Sequence, residues 1–156
     1  MATTAQDIAD WFLTSIDTDA GDSLTPLKLQ KLVFYAQAWS LALRNKPLFR
    51  DDFEAWTHGP VIRSLWNKYK NRGWEAIEPP KHQPSFDKST ESLLKDVLNS
   101  YGNLSAKRLE HLTHSENPWI KARGDLPLEA ASSAVIEKDV MRQFYSALYK
   151  KTKAVN

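Results

Sequence analysis

The chain has 156 residues, 42% apolar and 26% charged, with 21 Lys and Arg against 19 Asp and Glu for a formal charge of +2. That length suits one domain over residues 1–156 with a real core, and so mild a charge gives no ground by itself for a nucleic-acid partner. Cysteine is absent, which excludes disulfides, thiol nucleophiles and cysteine-ligated zinc and suits a reducing compartment. The N-terminal MATTAQDIADWF lacks the basic and then apolar pattern of a signal peptide, and no run approaches the ~18 apolar residues of a membrane span. A cytoplasmic location without membrane insertion is therefore expected.

Thr4 can cap a first helix running to about Asp17, with Ile8, Phe12 and Ile16 on one face. A polar loop then leads to TPLKLQKLVFYAQAWSLAL, Thr25 to Leu43. Thr25 is a good N-cap, Pro26 fits the first turn, and no Gly or further Pro interrupts the run to Leu43. At 100° per residue Leu29, Leu32, Val33, Ala36, Trp39 and Leu43 form one apolar face. Leu27, Phe34, Ala38 and Leu41 form a second, nearly opposite. Gln30, Gln37 and Arg44 make a narrow polar strip between them. A helix apolar on two sides has to be covered on two sides, so this helix is expected at the centre.

Asn45-Lys46-Pro47 ends it. Phe53 to Trp56 alternates as a short strand or extended connector. Gly59-Pro60 is expected to open a third helix carrying Val61, Ile62, Leu65, Trp66 and Tyr69, stopped by Gly73. Residues 74–86 hold three prolines and read as an ordered connection. A fourth helix runs from about Ser89 to Gly102, and Ser105 caps a fifth with Leu104 and Leu109 as a hydrophobic staple. Asn117-Pro118 opens a short turn of helix that Gly124 stops, with Asn117 as its N-cap. Val135-Ile136 is a second extended piece, and the last helix spans about Lys138 to Lys150. The expected fold is mostly α, a single compact helical domain wrapped around the central helix, with at most a short two-stranded β element. The shared apolar pattern of three helices is a common packing task and not an internal repeat.

Few residues signal chemistry. His111 and His114 lie three apart, but the spacing is not His-Glu-x-x-His and no third ligand is signalled. His114-Ser115-Glu116 has triad ingredients in adjacent positions, where they cannot face one another. There is no Gly-rich phosphate loop. The expectation is no catalytic residue, no metal and no cofactor. Arg63, Lys68, Lys70 and Arg72 line the outer face of the third helix and read first as a solvated face. Trp39 and Trp66 lie on apolar stripes and are expected in the core; one of Trp56, Trp74 and Trp119 is expected to anchor a partner.

Three segments together resemble a known family. Leu27-Lys28-Leu29-Gln30-Lys31-Leu32 with Tyr35-Ala36-Gln37-Ala38-Trp39 is similar to its central-helix motif. Pro47-Leu48-Phe49 and Glu54-Ala55-Trp56-Thr57-His58-Gly59-Pro60-Val61 are similar to its connector. Leu112 to Arg123, LTHSENPWIKAR, resembles its third motif, with Asn117 where Gly is usual. The family is the Panacea (SocA-like) antitoxin domain, also met in phage-associated GepA-like proteins. The resemblance implies a mostly helical, non-enzymatic antitoxin that binds a toxin encoded beside it, with a protease or chaperone as a further partner where the domain serves as an adaptor. Toxin class and adaptor role do not transfer from family to chain.

Two other function classes stand beside this one: a metal-dependent or hydrolytic enzyme around His58, His111 and His114, and a DNA-binding regulator using the basic third helix. For the antitoxin, the expected contact surface is a groove along the exposed edge of Gln30, Lys31 and Gln37. Its rims would be the His58 segment and the stretch holding His114, Trp119, Lys121 and Arg123. Trp119 beside Lys121 and Arg123 has the aromatic-plus-cation character of an interface; the competing reading has it plugging the core.

Overall fold

The computed structural model describes residues 2–155 and the side chains of residues 2–153. Seven helices and three short strands run in the order α1 (Ala5–Ser15), α2 (Pro26–Arg44), β1 (Phe53–Trp56), β2 (Gly59–Val61), α3 (Arg63–Tyr69), α4 (Lys88–Tyr101), α5 (Ala106–His114), α6 (Asn117–Arg123), β3 (Val135–Ile136) and α7 (Lys138–Val155). The fold is mostly α. None of the described helices is long and apolar enough to cross a membrane.

α2 begins where its sequence says it must. Thr25 Oγ1 accepts from the Lys28 amide, and the helix ends with Asn45 in the left-handed region at φ 55°. Leu32, Val33, Phe34, Tyr35 and Ala36 are consecutive and each at most 1% exposed. Five residues at 100° each cover the whole circumference, so the middle of α2 is enclosed on every side. α1, α3, α4, α5, α7 and β2 supply the enclosure. The remaining caps are equally local in origin: Thr4 and Asp7 form a reciprocal capping box, Asp87 caps α4 and Ser105 caps α5.

Two features differ from expectation. The segment after Gly59 is not the start of a helix. Gly59 sits at φ +114°, outside the helical region, and turns the chain back so that β2 pairs antiparallel with β1, Ala55 opposite Pro60. Pro60 lies in an edge strand, where its missing N–H removes no ladder bond that a neighbour needs. α3 is shortened accordingly to Arg63–Tyr69, with Val61 in β2. The sheet also has three strands and not two, in the order β2-β1-β3, because Val135–Ile136 pairs with Phe53 and Glu54.

The second difference is the polar strip of α2, which is core. Gln30 is 2% and Gln37 0% exposed. A primary amide carries both a donor and an acceptor and so can pair with one stretch of extended backbone as a strand would. Gln30 donates to Ile62 O (3.1 Å) and accepts from Ile62 N (2.9 Å). Gln37, two turns on, donates to Phe49 O (3.0 Å) and accepts from Leu48 N (2.7 Å). These two glutamines clamp the connectors before and after the hairpin onto α2. Losing either would leave buried backbone groups unpaired, at about 1–3 kcal/mol each.

Candidate functional site

The third motif converges on the β1–β2 turn, Thr57-His58, from behind. α6 opens with Pro118 in its first turn and carries Trp119 and Arg123 on its buried side, 2% and 5% exposed. The Trp119 indole donates to Trp56 O at 2.8 Å. Arg123 donates to Ala55 O (3.0 Å) and to three carbonyls of the following loop, Pro127, Leu128 and Ala130, the last at 2.6 Å. Its guanidinium lies 4.8 Å from the Trp119 ring centroid, and the His114 ring stacks on the same indole at 4.0 Å. Trp119 and Arg123 are thus an internal strut, not an exposed rim: the core reading of Trp119 is the one realised, because its N–H finds a backbone acceptor only inside.

Lys31 comes from the opposite direction. It is 1% exposed and not a groove edge. Its tip fills the space where a Cβ on Gly59 would sit, 2.6 Å from Lys31 Cε and 3.1 Å from both Nζ and Thr113 Oγ1. Glycine at 59 is therefore required twice, by its φ and by this close approach. Among the described residues Lys31 Nζ has no hydrogen-bond partner, and His114 Nε2 has none either. Burial lowers the Lys31 amine to about 8, against an opposing pull from Glu110. Burial likewise lowers His114, with Glu110 and the Thr57 backbone opposing. Glu110 is pushed up by partial burial, but the His58 contact and the charges of His114 and Lys107 outweigh that and hold it below its usual range.

His58 completes the chain of charges. Its Nδ1 lies 2.8 Å from Glu110 Oε1, with the imidazole 61% exposed. Among the described residues no group of three or more His, Asp and Glu side chains is arranged to hold a metal ion. His111 is exposed and makes no hydrogen bond or ion pair with His58 or Glu110. Lys121 is exposed at a separate shallow hollow beside Pro118 and Val140. Of the eight residues expected at the partner surface, His58 and Lys121 are exposed, His114 is half-buried, and Gln30, Lys31, Gln37, Trp119 and Arg123 are buried.

The supported turn overhangs an open pocket of about 600 Å3 lined by Leu27, Trp56, Thr57, His58, Val61, Arg63, Trp66 and residues 131–133. Trp56 and Trp66 meet edge to face at 5.6 Å and 68°. Arg63 lies over Trp56 at 5.3 Å and grips Glu54 through Nε and Nη2, at 3.1 and 2.7 Å. That ion pair holds Glu54 low and Arg63 high. Trp66 is half-buried and not a core residue.

A second buried cluster escaped sequence reasoning. Glu116, 7% exposed, occupies the N-cap position of α6 but makes no capping bond. Asn117, expected as that cap, is the first helical residue. The Glu116 carboxylate instead accepts from Tyr35 OH (2.7 Å) and Tyr145 OH (2.8 Å). Tyr101 stacks on Tyr35 at 4.0 Å and accepts from the Trp39 indole. Burial raises Glu116 while the two hydroxyls pull it back; burial beside the carboxylate raises Tyr35 and Tyr145 and pushes Tyr101 up to about 12. Tyr35 lies in the central-helix motif and Glu116 in the third motif. Nothing in the sequence paired them across 81 positions.

The arrangement defines a class first: a mostly helical scaffold whose internal polar residues hold a hairpin turn and a pocket at the surface. The family comes from comparison. The model of the antitoxin SocA-like Panacea domain matches residues 29–120, and the chain belongs to that family. It is also similar to the antitoxin SocA of Caulobacter vibrioides (strain NA1000 / CB15N), 27% identical over 114 residues, which cover 62% of this chain and 58% of that protein. The matched region thus spans well under two thirds of the curated relative. No solved structure matches.

Proposed function

We propose that this chain is the antitoxin of a toxin–antitoxin pair and neutralises its toxin by binding it directly, at the face formed by the β1–β2 turn and the pocket beneath it. Membership of an antitoxin family supports the role. The observation that carries the location is the convergence of the family motifs. Lys31, His114, Trp119, Arg123 and Gln30 come from two separate stretches, and their buried parts hold a third, the β1–β2 hairpin whose exposed tip is His58. Fixed geometry at a surface lowers the ordering cost of binding. The eight motif residues thus divide into supports and contacts, with His58 and the half-buried edge of His114 as the contacts and Lys121 at a separate margin.

Co-expression with the product of the adjacent gene tests this. The two proteins are expected to co-purify, and the chain to restore growth that the adjacent product alone arrests. His58→Ala should weaken rescue while leaving the fold intact. Failure of the wild-type chain to bind or rescue would refute the antitoxin role. Pulse-chase of the toxin separates two modes: occlusion leaves its half-life unchanged, whereas delivery to a protease or chaperone shortens it.

A further inference from the structure

We infer that the pocket beneath the β1–β2 turn receives an aromatic side chain from an acidic segment of the toxin; the inference rests on the antitoxin reading above and names the chemistry that reading leaves open. The walls select the aromatic ring. Trp56 and Trp66 both line the pocket, meeting edge to face at 5.6 Å and 68°, with Leu27 and Val61 adding apolar surface. An incoming ring can repeat the edge-to-face geometry already present, an attraction that adds to the burial of its apolar area. About 600 Å3 holds such a ring with its flanking backbone, and Thr57, Ser132 and Ser133 supply hydroxyls at the margin for that backbone.

Charge selects the flanks. Arg63 and His58 line the pocket, and its lining includes no carboxylate. Arg63 pairs with Glu54 at 2.7 Å and His58 with Glu110 at 2.8 Å. Beyond Arg63, α3 and the turn after it add the exposed Lys68, Lys70 and Arg72. The Arg63 guanidinium at the pocket, with the exposed cations of α3 and its following turn beyond it, favours an anchor flanked by Asp or Glu and disfavours one flanked by Lys or Arg, since like charges facing across an interface are costly.

The walls are also fixed before any partner arrives. Trp56 is held by Trp119 through its carbonyl and by Glu54 through its indole (2.9 Å), and the 127–130 loop by Arg123. The test has two arms on the full-length chain. In the first, the indole signals of Trp56 and Trp66 are followed by NMR during titration with N-acetyl-Glu-Trp-Glu amide, N-acetyl-Lys-Trp-Lys amide and a single-stranded oligonucleotide. The acidic peptide is expected to shift both signals at millimolar concentration, to bind at least tenfold better than the basic one, and to lose that preference in Arg63→Glu. Equal response to both peptides, no response, or preference for the oligonucleotide overturns the inference.

In the second arm, Trp66→Ala and the pocket-filling Ser133→Trp are each confirmed folded and assayed against the adjacent toxin. A loss of at least tenfold in affinity supports the pocket. Undiminished binding and rescue by both variants overturns it while leaving the antitoxin role standing. No binding by the wild-type chain instead brings down the antitoxin role, and with it the pocket's assignment to a toxin.

Discussion

Two buried polar clusters lie within the same small domain, and they are built in opposite ways. Around Glu116 the polar groups are paired: two tyrosine hydroxyls donate to the carboxylate, and a third tyrosine stacks on one of them and accepts from Trp39. Around Lys31 the Lys31 Nζ and His114 Nε2 atoms are enclosed without a partner among the described residues, next to a glycine held at φ +114°. Satisfied buried polar groups rigidify a core. Unsatisfied ones cost free energy, and a domain with only about 5–15 kcal/mol to lose keeps few of them. The first cluster ties α2, α6 and α7 together. The second lies directly under the turn that faces the pocket. The contrast separates what holds this fold from what the fold holds up.

Breaking the satisfied cluster should have the largest effect. Glu116→Leu leaves two buried hydroxyls unpaired and is expected to cost roughly 2–6 kcal/mol in denaturant unfolding, at about 1–3 kcal/mol per group. Glu116→Gln keeps the accepting oxygen and should stay close to wild type. The pH dependence sharpens this. A carboxyl raised in the folded state holds its proton where the unfolded chain has lost it. Its contribution is therefore full at low pH and fades as pH climbs past the usual carboxylate range. Glu116→Gln should remove that fall, and an unchanged pH profile would show that Glu116 is not the group responsible.

Relieving the unsatisfied cluster should go the other way. Lys31 is lowered to about 8, so between about pH 8 and the ordinary lysine value the unfolded chain binds a proton the folded chain has released. Stability from this group therefore rises with pH across that window. Below it the buried charge costs about 3 kcal/mol, since each tenfold loss of proton affinity corresponds to about 1.4 kcal/mol. Lys31→Met is expected to raise the unfolding free energy at pH 7 by up to that amount and to flatten the profile above pH 8. A destabilised Lys31→Met would mean that the charge is compensated.

Gly59→Ala probes the same spot sterically. A side chain there combines a positive φ with a 2.6 Å approach to Lys31 Cε, for a cost of about 1–3 kcal/mol. In a Lys31→Ala background the closest approach disappears, while the 3.1 Å approach to Thr113 Oγ1 and the φ strain stay. A double-mutant cycle should therefore report a coupling of at least about 0.5 kcal/mol; strict additivity would place the two residues out of contact. The smallest stability effect belongs to His58→Ala. Its exposed pair with Glu110 is worth under about 1 kcal/mol, so thermal unfolding should barely move while binding of the toxin falls.

Local physics made much of the fold legible. Caps at Thr4, Thr25 and Ser105, stops at Gly124 and Asn45, and the two-sided apolar pattern of α2 all depend on neighbours within a turn or two. The sequence by itself therefore determined a mostly α chain wrapped on Pro26–Arg44, and its motifs pointed to the family. It did not determine which polar residues face inward. Gln30, Gln37, Lys31 and Arg123 read as surface, and Trp119 stayed open between surface and core, because side-chain polarity is a property of one residue. Whether that polarity is satisfied depends on which backbone atoms another segment brings within reach. Ile62 meets Gln30 across 32 positions, Ala55 meets Arg123 across 68 and Glu116 meets Tyr35 across 81. Such pairings exist only once the chain has closed on itself, so the interior roles of the motif residues, and the pocket they support, were decided by the tertiary structure.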